Sequence, residues 1–229
     1  MNHLISECRK FFEDFKHPYA VCGGYALELF TDTHNRPHSD LDITVFREDK
    51  QNIIAYVQSK GWNIYEPKHH PDSLRLIADA EHEVTPDCLC LWAVKPGCSL
   101  IGIRLMSDND NMFSFEIKNE EQSNFDFIEI IFNVKTNGCF VCDAAKGVLR
   151  ELDKAILYRH GIPYLAPEII LFFISDPAYT ESAYHREKSN IDWNVTPPHL
   201  SQESLNWLIK ALKTAYPDGN RRLENLGDM

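Results

Sequence analysis

The sequence predicts an α+β protein: a mixed sheet flanked by helices over residues 1–145, then a mostly helical part over residues 146–229. Three features carry this expectation. A short apolar strand, two glycines and an aliphatic helix follow one another over residues 19–30, and strand-like runs recur from residue 41 to residue 142. Beyond residue 143 two long apolar segments take helical spacing, and proline stands at the head of the first.

Taken in order, Leu4, Ile5, Cys8, Phe11, Phe12 and Phe15 repeat at close to helical spacing, and Pro18 ends that helix. Tyr19–Cys22 reads as a buried strand, Gly23 and Gly24 as its turn, and Tyr25–Phe30 as a helix with Ala26, Leu27 and Phe30 able to face a core. A polar loop spans residues 31–38. Leu41–Phe46 alternates, with Leu41, Ile43 and Val45 on one face and Asp40, Asp42 and Thr44 on the other. Lys50–Lys60 is a helix closed by Gly61, a residue suited to the left-handed turn past a helix end. Strand-like pieces then fill residues 62–142, interrupted by the polar stretch Asp108–Asn111; the strongest is Phe125–Phe132. A turn at Arg159–Gly161 joins two short strands, Pro167 and Glu168 open an apolar helix, and a last helix runs from Gln202 to Ala215 with Leu205, Leu208, Ile209 and Leu212 on one stripe.

Composition is that of a soluble globular protein, 44% hydrophobic and 25% charged. Without an apolar run near the roughly eighteen residues of a membrane span, and with no signal-like N-terminus, a cytoplasmic protein is expected. Seven scattered cysteines point to reduced, mostly buried thiols and not to a disulfide frame. The net charge of −11 argues against a nucleic-acid partner, which would want a basic surface. An acidic cleft would instead attract a small cationic acceptor, although acidity also serves solubility. His69 and His70 fall in a polar loop, and Trp62, Trp92, Trp193 and Trp207 are expected mainly in the core.

The chemistry concentrates in YAVCGGYALELFTDTHNRPHSDLDITVF, residues 19–46. Glycines let backbone approach a phosphate, and the following helix offers free N–H groups. Asp40 and Asp42, two apart on one strand, put both carboxylates on one face. Such a pair repels unless a cation lies between, and hard oxygen donors suit magnesium; the alternative is a solvated edge strand. A third acid comes from NFDFIEIIFN, where Glu129 lies among isoleucines. Burying it is costly unless it is paired or metal-bound, so a metal or base role stands beside a buried salt bridge or a solvent-facing position. Asp126 is the second choice, with the opposite strand parity.

The run from Gly23 to Val45 resembles the signature of the DNA polymerase beta nucleotidyltransferase superfamily, and more narrowly that of the aminoglycoside and lincosamide nucleotidyltransferases: Gly-Gly, an aliphatic helix, then R-x-H-x-D-x-D as Arg36, His38, Asp40 and Asp42. GIPYLAPEIILFF, residues 161–173, is similar to the opening of the family's C-terminal helical part, and Lys188, Asp192 and Trp193 follow in the family's order. Residues 60–120 match poorly. The resemblance implies a nucleotidyltransferase-like sheet and a transfer of a nucleoside monophosphate, AMP from ATP, to a hydroxyl of a small acceptor, in the manner of antibiotic-resistance enzymes. It implies two Mg2+ ions on Asp40, Asp42 and Glu129, with Glu129 completing the site or serving as general base. A nucleoside triphosphate would be cradled by Gly23 and Gly24, with Arg36 or His38 neutralising phosphate charge or merely pinning the loop. Lys188 would reach the nucleotide, cap a helix or pair with Asp192 one turn on. The rival expectations are a non-catalytic relative that binds nucleotide or a partner protein, and a toxin-like enzyme that modifies RNA or protein.

Overall fold

The computed structural model describes residues 2–68, 72–78, 87–106, 111–119, 121–143 and 147–226. His69 and His70, most of the polar stretch from Asp108, and the expected boundary at residues 145–146 lie outside the described residues. In chain order the elements are α1 (His3–Phe11), β1 (Tyr19–Val21), α2 (Gly23–Thr31), β2 (Asp42–Phe46), α3 (Lys50–Ser59), β3 (Asn63–Lys68), β4 (Ser73–Ile77), β5 (Cys90–Val94), β6 (Ile101–Leu105), β7 (Met112–Ile117) and β8 (Phe127–Thr136). There follow β9 (Cys139–Val141), β10 (Leu149–Glu151), α4 (Leu152–Ala155), β11 (Ile156–Arg159), β12 (Ile162–Leu165), α5 (Pro167–Phe173), α6 (Ala183–Val195), α7 (Gln202–Ala215) and α8 (Arg221–Leu226). The α+β class holds, with both parallel and antiparallel pairing.

Two compact units divide the chain, residues 1–20 with 38–132 and residues 21–37 with 133–229. In the first unit the strand order is β2-β8-β5-β3-β4-β7-β6. From β8 outward the pairing is antiparallel: β8 with β5, β5 with β3, β3 with β4, β4 with β7 and β7 with β6. Helix α3 packs on β2 and β3 through Ile53, Ile54 and Val57, all fully buried. Its end follows the sequence expectation, because Gly61 takes a φ of 79° and donates its N–H to Gln58. Helix α1 stops at Phe11, four residues short of the expected Phe15, yet Phe12 and Phe15 stay buried in an aromatic cluster with Tyr19 and Tyr56.

In the second unit β12 pairs antiparallel with β11, and Val21 pairs parallel with Tyr164. Helix α2 starts at Gly23, two residues before the expected Tyr25; Gly23 has a φ of 61°, a conformation glycine enters without the penalty of a side chain. Proline heads α5 as expected, and α5 packs against α2 and α7. The final helix keeps its expected bounds, Gln202 to Ala215, with Ser201 accepting a hydrogen bond from the Ser204 N–H. All seven cysteines are free thiols, five of them buried. Of the tryptophans, Trp62 and Trp193 are buried, while Trp92 and Trp207 are half-buried. No helix among the described residues is long and apolar enough to cross a membrane.

Candidate active site

Leu41 and Glu129 fix the geometry of the first unit's site. The Glu129 N–H donates to the Leu41 carbonyl at 3.0 Å, so residue 129 lies beside the peptide flanked by Asp40 and Asp42. Leu41 itself is fully buried, which turns the two aspartates to the other side. The outcome is a cluster in which Asp40, Asp42 and Glu129 each offer a carboxylate oxygen, all within 4.8 Å of one another and all half-buried. Ser39 donates its hydroxyl to Asp40 at 3.1 Å.

Electrostatics set Glu129 apart. Burial pushes its carboxyl above the ordinary glutamate range, and the charge of Asp40 adds to the shift. The Cys90 thiol and the Trp92 indole, on the adjacent strand β5, partly offset it. Cys90 is in turn driven upward by burial and by the Glu129 charge. Crowded oxygens with a surplus of negative charge are what a hard divalent cation relieves, and Mg2+ fits a donor set made of oxygen alone.

Asp126 takes another part. It precedes β8, and its Oδ2 accepts from the Ser99 N–H at 2.8 Å and the Ser99 hydroxyl at 2.7 Å. That contact fastens the loop before β6. His38 is buried, and its carbonyl accepts from the Gln122 N–H at 3.0 Å. The remaining sequence candidates belong to the second unit. Gly23 and Gly24 form the first turn of α2. Arg36 grips Asp192 of α6 with two nitrogens, Nε on Oδ1 at 3.1 Å and Nη2 on Oδ2 at 3.0 Å. Lys188 holds its Nζ 4.0 Å above the Tyr184 ring. Cys90, expected as a plain thiol, and Trp92, expected in the core, were not placed at the site from the sequence; the alternation of CLCLWAV could have put them on one face, but not beside Glu129.

The family model of the aminoglycoside-2''-adenylyltransferases matches residues 4–88. The chain resembles those enzymes. The match contains the glycine pair and both aspartates and ends before Glu129. Among solved structures, the lincosamide antibiotic adenylyltransferase LnuA, lincomycin-bound, is similar at 14% identity over 86% of this chain and 98% of its own, with a TM-score of 0.49. The antibiotic-resistance factor ANT(2'')-Ia is similar at 16% identity over 98% of this chain and 95% of its own, with a TM-score of 0.46. JHP933 from Helicobacter pylori shares 14% identity over 98% of this chain and 79% of its own, with a TM-score of 0.39. Comparison with curated proteins gives no match.

Proposed function

We propose that the chain is a Mg2+-dependent nucleotidyltransferase that moves AMP from ATP to a hydroxyl of a small acceptor. The observation that carries this reading is the meeting of Asp40, Asp42 and Glu129 within 4.8 Å, in a segment whose first two acids fall inside the adenylyltransferase match. The catalytic part is assigned to residues 1–145, which contain all three.

Asp40, Asp42 and Glu129 would hold the divalent ions, which supply charge neutralisation for the triphosphate and acidify the acceptor hydroxyl. The acceptor oxygen forms a bond to the α-phosphorus, the α–β bridging P–O bond breaks, and pyrophosphate leaves with that electron pair. Glu129, whose affinity for a proton is already raised, accepts the hydroxyl proton. Gly23 and Gly24, at the start of α2, present backbone N–H groups for the phosphates. Arg36, His38 and Lys188 belong to the nucleotide side of this reading, Arg36 by shaping its loop through Asp192.

Pyrophosphate release from ATP, measured with Mg2+ and with EDTA in wild type and D42N, is the test. Release that needs both Mg2+ and Asp42 supports the assignment. Turnover retained in D42N removes the assigned site, and binding of ATP without release favours a non-catalytic relative.

A further inference from the structure

Glu129 carries two carboxylate oxygens, and the cluster with Asp40 and Asp42 takes one of them. What holds the other decides how the side chain is aimed. Directly opposite Glu129 on β5 stands Trp92, and paired residues share a face of the sheet. Cys90 lies two residues away on that strand, diagonal to Glu129. Both bear a hydrogen donor, the thiol of Cys90 and the indole N–H of Trp92. Both also lower the proton affinity of the Glu129 carboxyl, against burial and the Asp40 charge that raise it.

Of the two donors, Trp92 is the better placed and the better fixed. The residue is half-buried, yet its Nε1 is buried and has no hydrogen-bond partner among the described residues. A buried N–H without an acceptor is costly, so an acceptor within reach is favoured. Phe115 and Phe127 meet the indole edge to face, with centroids 5.1 and 5.5 Å away, and hold its plane. Phe127 is buried and lies on β8, so the strand that carries Glu129 also walls the indole's seat. Cys90 offers only a thiol, a weak donor.

We propose that Trp92 is a positioning residue: its Nε1–H donates to the Glu129 oxygen that the cluster does not take, and so aims the other at the divalent cation and the acceptor's proton. The inference rests on the nucleotidyltransferase reading and gives Glu129 its orienting partner. The terminal torsion of a glutamate is soft, so its carboxyl turns readily to complete the bond. A carboxylate held from behind in this way keeps its angle while the cation binds and while pyrophosphate leaves. Such outer donors change metal affinity or activity by about tenfold to a hundredfold. Trp92 touches neither nucleotide nor metal in this scheme; it acts through Glu129 alone.

W92F keeps the ring and removes the donor. It should lower kcat for Mg2+-dependent pyrophosphate release about tenfold and leave the ATP KM unchanged, with a melting temperature near wild type. C90A should cost less than W92F. A second measurement leaves Trp92 in place and survives if W92F folds poorly. In a proton–nitrogen correlation spectrum without metal, the Trp92 indole signal, identified by its absence from W92F or W92Y, should lie downfield in wild type and move upfield in E129A. The indole signals of Trp62, Trp193 and Trp207 should stay in place. Wild-type kcat in W92F, a larger loss in C90A, or a Trp92 signal indifferent to E129A overturns the inference. If wild type still releases pyrophosphate with Mg2+ in those cases, the failure belongs to Trp92 alone. No such release in wild type marks failure of the reading beneath, and the inference falls with it.

Discussion

Glu168 stands in the run Pro167–Phe173 and Glu129 in the run Phe127–Phe132, each acid followed by isoleucine. Glu168, 1% exposed, receives the Arg150 guanidinium at 2.7 Å and the Ser204 hydroxyl at 3.0 Å. Arg150 in turn lies over the Trp207 ring, 5.5 Å from its centroid. Glu129 meets Asp40, Cys90 and Trp92 instead; burial and the Asp40 charge make its carboxyl hold a proton more tightly, and the Cys90 and Trp92 contacts offset this only in part. The first acid has its countercharge built into the fold and ties β10 to α5. For the second, the charge that acts on it is Asp40, of the same sign, and in the proposed function a divalent cation would supply the countercharge. Removing a partner should therefore hurt stability at Glu168 and help it at Glu129.

The largest effect expected is on turnover. D42N should lower nucleotide transfer by about 10³-fold or more, equivalent to ~4 kcal/mol of barrier, with the melting temperature close to wild type. A melting temperature collapsed along with activity would erase the contrast, since Asp42 would then be structural like Glu168. Next comes R150M, which strands the Glu168 charge inside and should cost about 3 kcal/mol in urea unfolding. The double variant R150M/E168L should recover much of that loss, because it buries no orphan charge.

E129Q should separate the two properties within one residue. Transfer should fall about 10²-fold through loss of the proton acceptor, while unfolding at neutral pH without metal should cost more than in wild type. The sign follows from the raised Glu129 carboxyl. A folded-state pKa above the unfolded value adds stability below the unfolded value, and that stability is lost as pH rises through the folded one. Wild type thus carries a strained carboxylate at neutral pH that glutamine lacks. Mg2+ should relieve the same strain. Its rise in melting temperature should be larger near about pH 7.5 than near about pH 5, and D42N should flatten the difference. A Mg2+ shift independent of pH would mean that the cation binds elsewhere.

Local signals were legible in the sequence where local physics decides. The stripe Leu205, Leu208, Ile209 and Leu212 set α7, proline set the head of α5, and strict alternation put Asp40 and Asp42 on one face. Glu129 was legible as an acid too costly to bury alone, but its meeting with the aspartates depends on β2 pairing with β8 across more than eighty residues. Pairings at such range leave no periodic trace. For the same reason the order of β3 to β7, and Trp92 beside Glu129, stayed hidden, although each strand taken singly read as one. Asp126 illustrates the limit of parity: it lies just before β8, where alternation no longer governs, and a loop contact with Ser99 claims it.

Arg36 and Asp192, 156 residues apart, were named separately from the sequence and proved to be one pair. Their side chains are only 10% and 6% exposed, and the guanidinium fork meets both carboxylate oxygens. Lysine carries the charge but cannot present two nitrogens in that plane. R36K should therefore cost about 1 kcal/mol of stability, one charge-assisted hydrogen bond lost and the other kept. If Arg36 serves the nucleotide only by shaping its loop, D192N should raise the ATP KM as much as R36K does. A KM raised by R36K and untouched by D192N would place the guanidinium on the phosphates themselves, and would move Arg36 from the company of Arg150 to that of Asp42.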